Sequence, residues 1–317
     1  MILPKTCIDG LDSLPGGIAG CVLTIGNFDG VHLGHQRILA TARELAGPHG
    51  LAVVAMTFEP PPDLVIRPAD APQRLAPQTE KCRQLLAAGA DWVVTAAARP
   101  ELFAMTPQEF IDRVVVGKFA PRHIVEGPNF FFGRGRSGDV NTLRQAGAAG
   151  GFEMHVVEPV TLDIGGARQR VSSTLVRDLV AQGSMPDARS CLGRPYTLYG
   201  PVVTGAGQGR LLDFPTANLA PGQQILPPDG VYAGQARFGE AVYTAAISIG
   251  TKPTLGPAPR VIEAFLLDAH GNFYNKDMAL GFLQRVRGQE RFDSIESLRR
   301  QIAKDVQSVR EICQRSV

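Results

Sequence analysis

The chain is short of cysteine pairs, of net charge and of long apolar runs, and each shortage closes off a class of protein. Its five cysteines (Cys7, Cys21, Cys82, Cys191 and Cys313) are scattered, odd in number and never spaced as a CxxC pair or gathered with histidines. Neither a disulfide framework nor a zinc site is indicated, and reduced cytosolic thiols are expected. No apolar run approaches the roughly 18 residues that suggest a membrane helix. The opening MILPKTCIDG lacks the charged start and apolar core of an export signal. A cytoplasmic protein with no membrane partner is therefore expected, as a monomer or weak homo-oligomer. The formal net charge of +2 is too mild for a nucleic-acid footprint. Phosphorylated small molecules stay open, because a basic pocket can be local.

What is present is ordinary globular material, 44% hydrophobic and 20% charged over 317 residues, which suggests about two domains. From about residue 20 to 183, short apolar runs alternate with helical patterns. Strands are expected at 21–25, 51–58, 91–96, 123–126 and 153–159, and helices at 34–46, 79–88 and 107–118. Thr106 caps the last of these, with Pro107 in its first turn. That rhythm predicts a parallel sheet covered by helices, with ligands at the carboxyl ends of the strands. Past Arg194, strand-like runs at 196–204, 231–238, 242–250 and 261–268 are separated by Gly/Pro-rich turns. They predict an antiparallel barrel or sandwich. The tail 294–312 reads as one amphipathic helix packed on it. Domains of 1–185 and 186–317 are expected.

Two constellations carry chemistry. GNFDGVHLGHQ (Gly26 to Gln36) lies between a strand and a helix, where backbone N–H groups and the helix dipole favour an anion. His32 and His35 bracket Leu33-Gly34 there, suited to donate to an α-phosphate as charge builds on it. Gly34 permits close approach of a nucleotide, while Asn27 and Asp29 can position a second substrate or a metal. VSSTLVR adds Ser172, Ser173, Thr174 and Arg177, suited to grip β- and γ-phosphates and equally to cap a helix. GPNFFFGRGRSGD contributes Asn129, Arg134 and Arg136, with aromatics that suit either ring stacking or core packing.

The second constellation begins with Gly205-Ala206-Gly207-Gln208-Gly209-Arg210. No GK[ST] follows, so it is not a Walker loop; it reads as a phosphate cradle or a flexible hairpin turn. Pro215, Thr216 and Asn218 follow. The last two share a strand face and offer hard oxygens to magnesium carrying ATP. Glu263, set among Val261, Ile262, Ala264 and Phe265, is either ion-paired or a general base raised by desolvation.

GNFDGVHLGHQ, TFEP, NFFFG and SSTLVR, together with LLDFPTANL, PPDGVYA, ISIGTKPTLG, IEAFLLD and the closing ERFDSIESLRRQIAKD, resemble the bifunctional bacterial riboflavin kinase/FAD synthetase family across about residues 20 to 310. The resemblance implies a Rossmann-like α/β nucleotidyltransferase domain with a parallel sheet. A six-stranded antiparallel β-barrel with a C-terminal helix would follow. It implies that riboflavin is phosphorylated to FMN, and that FMN and ATP then give FAD and pyrophosphate. His32 and His35 would stabilise the transferring phosphoryl group, and Ser172, Ser173, Thr174 and Arg177 would hold the pyrophosphate. Thr216 and Asn218 would bind MgATP, and Glu263 would deprotonate the ribityl hydroxyl. The chain departs from the pattern at Pro61 (family histidine), Phe131 (family arginine), Asp213 and Asn275 (family glycines). The rival readings are a kinase with a weakened adenylyltransferase, a nucleotidyltransferase with another acceptor, and a flavin sensor or carrier.

Overall fold

The computed structural model describes residues 4, 6–12, 14–205, 214–251 and 260–315. Its contacts divide into two compact units: 1–73 with 78–172, and 74–77 with 173–317. Short helices at Ser173–Gln182 and Met185–Leu192 group with the second unit.

The strands of the first unit are β1 (Cys7–Asp9), β2 (Val22–Ile25), β3 (Val53–Glu59), β4 (Trp92–Ala97), β5 (His123–Glu126), the short pair β6 (Phe131–Phe132) and β7 (Gly138–Asp139), then β8 (Glu153–Val156), β9 (Thr161–Ile164) and β10 (Ala167–Arg170). Six of them form one sheet in the order β1-β4-β3-β2-β5-β8, every pairing parallel. All four residues of β2 are buried, as a strand covered on both faces requires. Alternate residues feed two cores. Leu23, Ile25, Val54 and Met56 pack with Phe110, Val114 and Phe119. Val22, Val53 and Ala55 pack with Leu39, Ala42, Cys82 and Leu85. Helix α1 (Leu33–Ala46) follows β2. The expected helix at 107–118 opens at Thr106 with a full capping box to Glu109, then widens into a π-helix over Ile111–Phe119.

The strand order places a topological switch between β2 and β5, the position at which open α/β sheets bind ligands beyond their carboxyl ends. The two strands pair only at Val22↔His123 and Leu23↔Ile124 and then separate. The N–H of Ile25, beyond that register, donates instead to the buried Glu126 carboxylate, as does the Thr24 hydroxyl. Burial pushes the Glu126 acid well above the ordinary carboxylate range, although both hydrogen bonds pull it down.

The second unit is a closed barrel of β11 (Tyr196–Val203), β12 (Thr216–Leu219), β13 (Gly230–Phe238), β14 (Ala241–Gly250), β15 (Val261–Leu266) and β16 (Asp277–Arg287), in the order β11-β12-β15-β14-β13-β16. Every pairing is antiparallel, so of the two expected architectures the barrel forms. Closure leaves no open edge. Its final strand β16 was not foreseen. The C-terminal helix Ile295–Arg315 buries Val309 and Cys313 against Ala233 and Leu283. Arg287 of β16 fixes its angle through a bidentate, largely buried pair with Asp305 at 2.8–3.1 Å.

Candidate functional sites

At the carboxyl end of β2 the chain turns sharply. Phe28 (φ 51°) and Val31 (φ 37°) both sit at positive φ, costly conformations for a bulky and a β-branched residue that persist where a site demands them. The turn delivers His32 as the N-cap of α1, and its side chain makes no cap hydrogen bond. His32 and His35, one turn apart, stack with ring centroids 3.7 Å apart and planes 21° apart. Gly34 makes this possible: a Cβ there would stand 3.1 Å from the His32 ring.

Burial, then the neighbouring imidazole and then the Lys81 ammonium hold His35 well below the ordinary histidine range. The ring is therefore neutral near pH 7. Its Nδ1 and the Asn27 Oδ1 are buried side-chain atoms with no hydrogen-bond partner. Such atoms are costly unless a ligand satisfies them. Asp29 is buried beside them in the sequence of the same turn.

The structure adds a residue that sequence reasoning missed. Lys81 is 4% exposed, and its Nζ donates to the carbonyls of Asn27 and Phe58, each at 3.2 Å. It ties the ends of β2 and β3 together and sets a positive charge beneath the histidine pair. Lys81 lies 54 residues from Asn27, so no local pattern marks it.

The other expected residues of this unit divide. The Asn129 side-chain amide lies against the Arg170 guanidinium, the orientation that pairs donor with acceptor being the one with its oxygen toward Arg170; Arg170 was also not foreseen. Of the three phenylalanines, two pack into the core. Phe132 is buried and Phe130 packs against the core, whereas Phe131 is exposed with Arg136 5.1 Å over its ring. The carbonyl of Val171 comes 3.7 Å from the Cβ position at Gly34, so the chain entering Ser172 passes the start of α1. Ser172 ends the first unit, while Ser173, Thr174 and Arg177 lie in the second unit's helix Ser173–Gln182. Gly26 pairs its N–H with the Met56 carbonyl at the end of the β2–β3 ladder. Pro61 follows β3 as the N-cap of Pro62–Ile66.

In the barrel, β12 and β15 bring distant residues together. Asn218 lies opposite Glu263, which faces Ser248 on its other side; direct neighbours on antiparallel strands have Cβ atoms about 5 Å apart. Glu263 corrects an expectation. Its strand is not buried on both faces: exposure alternates, and Glu263 and Phe265 share the more open face while Ile262, Ala264 and Leu266 fill the core. Apolar neighbours in sequence did not amount to burial.

Two cavities open beside this strand pair. One of about 260 Å³ holds Glu263 and Ser248 among Phe214, Phe265, Ile302 and Val306. The other, about 620 Å³, is formed by Pro215, Asp268, His270, Asn272 and Tyr274. Thr216 and Phe265 line both, so the threonine hydroxyl stands where the two spaces meet. Asn218 is buried, and Gly205 approaches it closely enough that a Cβ would collide with its amide. Gly207, Gly209, Arg210 and Asp213 lie outside the described residues. Asn275 occupies the left-handed region at φ 61°, which asparagine tolerates and glycine would adopt freely.

Comparisons with known proteins divide the chain along similar lines. Residues 17–175 match the family model described as FAD synthetase, and residues 192–313 match that described as riboflavin kinase. A bifunctional riboflavin kinase/FMN adenylyltransferase of Escherichia coli K12 is 37% identical over 293 residues, spanning 92% of each chain. The protein of that description from Pseudomonas fluorescens is 37% identical over 309 residues, 96% of this chain and 97% of its own. The Bacillus subtilis one is 32% identical across 91% of both. A crystal structure described as a macrolide-efflux protein from Streptococcus pneumoniae superposes with a TM-score of 0.86 at 26% identity, over 96% of this chain and 99% of that one. Among the described residues here, no helix is long and apolar enough to cross a membrane.

Proposed function

Since the chain belongs to the bifunctional riboflavin kinase/FMN adenylyltransferase family, we propose that it performs both steps of flavin-cofactor synthesis, with the residue roles that follow. ATP phosphorylates riboflavin to FMN in the barrel unit. ATP then adenylylates FMN to FAD in the parallel-sheet unit, releasing pyrophosphate. The observation that supports this most directly is that two family models match successive stretches of the chain, residues 17–175 and 192–313, and each stretch holds one of the two polar constellations.

In the kinase step, the apolar 260 Å³ cavity takes the flavin and the 620 Å³ cavity takes the nucleotide. Glu263 accepts the proton from the ribityl hydroxyl as its oxygen attacks the γ-phosphorus, and ADP leaves. Thr216, on the wall common to both cavities, lies where the phosphoryl group crosses. Thr216 and Asn218 fit a nucleotide-borne Mg2+, which takes one or two protein oxygens and fills the rest of its shell with phosphate and water. When bound, the ion would neutralise charge on the transferring phosphate. Gly205, with Gly207, Gly209, Arg210 and Pro215, frames the polyphosphate.

In the adenylyl step, a phosphate oxygen of FMN attacks the α-phosphorus of ATP and pyrophosphate departs. His32 and His35 donate to the α-phosphate as charge accumulates. A neutral His35 enters that role without an ammonium-like repulsion from Lys81, and the bound anion raises its proton affinity. Gly26, Asn27, Asp29, Gly34 and Asn129 shape the nucleotide seat; Ser172, Ser173, Thr174 and Arg177 hold the leaving pyrophosphate. The enzyme works in the cytoplasm as a monomer or weak homo-oligomer, on small molecules and without nucleic acid.

Incubating the purified chain with riboflavin and MgATP, then separating the flavins, is expected to yield FMN and FAD. Formation of neither overturns the proposal. FMN accumulating without FAD, and no FAD from supplied FMN, would favour the kinase-only reading to which Pro61 points.

A further inference from the structure

His123, Glu153 and His155 gather at the end of the parallel sheet opposite to the nucleotide site. His123 and Glu153 are the first residues of β5 and β8 and lie side by side in the parallel register. His155 is two residues along β8, so it projects from the same face as Glu153. Val125, two residues after His123, is buried in the core that also takes Leu39, Ala42 and Ala46 of α1. His123 therefore emerges on α1's side of the sheet, at its rim. His49, in the turn that ends α1, stacks loosely with it at 6.4 Å between centroids.

The donor atoms of the three side chains face one another. His123 Nδ1 lies 3.1 Å from His155 Nε2, and Glu153 Oε2 lies 3.7 Å from each nitrogen. Donors about 2.1 Å from a tetrahedral zinc ion stand roughly 3.4 Å apart, and the three observed spacings bracket that value. We propose that His123, His155 and Glu153 bind one divalent transition-metal ion of the zinc class, fastening the edge strand β8 to β5. The set is two imidazoles and one carboxylate, suited to zinc, cobalt or nickel and poorly suited to magnesium. The fourth position is left to solvent. Sequence spacing gave no sign of this site: 30 residues separate His123 from Glu153.

The ordinary alternative is an imidazole–imidazole hydrogen bond with a carboxylate nearby. Equilibrium dialysis of the chelator-treated full chain against Zn2+, with millimolar Mg2+ present, separates the two. The expected result is one Zn2+ per chain. His123→Ala and His155→Ala should each weaken binding by more than about tenfold, and Glu153→Gln by less, with flavin turnover in Mg2+ unchanged in all three. No saturable binding, or binding that survives the His123→Ala/His155→Ala double variant, overturns the proposal. Wild-type protein supplies a test that does not depend on variant folding. Co2+ should shift the NMR resonances of the His123 and His155 rings, and shifts confined to His32 and His35 would refute the site.

Discussion

The two units build their sites by opposite means. In the parallel-sheet unit the proposed histidine site lies on one continuous turn, Gly26 to His35, where strained backbone, a helix N-terminus and two stacked imidazoles follow one another along the chain. In the barrel, Asn218, Glu263 and Ser248 meet only because β12, β15 and β14 are neighbours in a closed sheet. The first site is buried and presents polar atoms with unmet hydrogen bonds; the second is an open strand face between two cavities. The difference teaches that a polar site can be preorganised by local backbone or by long-range register. The two should fail differently when disturbed.

The largest expected effects separate the units by function. Glu263→Gln removes the proposed base and should lower riboflavin phosphorylation by about 10²- to 10⁴-fold, leaving FMN-to-FAD conversion intact. His35→Ala should do the reverse, lowering FAD formation from FMN by about 10²- to 10³-fold in kcat. Separate assays with riboflavin and with FMN check both. A flavin carrier with dead sites would be indifferent to either change, and loss of both activities in one variant would break the functional division.

Stability should divide in the same way, and the chain carries its own reporters. Its single tryptophan, Trp92, lies in β4, while all five tyrosines lie at or beyond position 196. Asp305→Ala strands the Arg287 guanidinium, which is only 16% exposed at its side chain. Breaking a buried pair of this kind costs about 3 kcal/mol. Tyrosine signals in urea unfolding should therefore shift to lower denaturant while the Trp92 transition stays in place. Coincident shifts of both would mean that the units do not unfold independently.

How much of this was legible follows from where the partners lie in sequence. The stretch Gly26 to His35 shows its site because the strand, turn and helix are contiguous and their spacing carries the geometry. Five of the six strands of the parallel sheet could be read because burial on both faces leaves runs rich in apolar residues, as in Val22–Ile25; the short, partly exposed edge strand β1 was not foreseen. Lys81 and Glu126 could not be read: their partners are 54 and 101 residues away. A buried Lys inside an amphipathic helix looks like any solvated one. Glu263 was legible as an anomaly but its environment was misjudged, since the apolar residues around it alternate between core and cavity. Thr216 and Asn218 could be placed on one strand face, but Ser248 joins them only through the barrel's strand order.

The smallest expected effect is also the sharpest contrast, because shifted groups that titrate in the mildly acidic to neutral range cluster in the first unit. His35 is held below its ordinary value of 6.5. The unfolded chain therefore takes up a proton near that pH while the folded chain refuses it. That contribution is fully present above pH 6.5 and is lost as pH falls towards the folded value. Glu126 is held above its ordinary 4.5 and acts in the other direction: its contribution is complete below 4.5 and is lost as pH rises through the folded value. The first unit is thus squeezed from both sides. His35→Gln should flatten the acid-side loss and Glu126→Gln the loss towards neutral pH. Urea midpoints read at Trp92 between pH 5 and 8 measure both slopes. The tyrosine transition supplies the control: Asp268, held low by Arg310 at the surface, has finished titrating below this range. A tyrosine midpoint that followed pH as steeply as Trp92 would place the proton-linked stability elsewhere and dissolve the contrast between the two units.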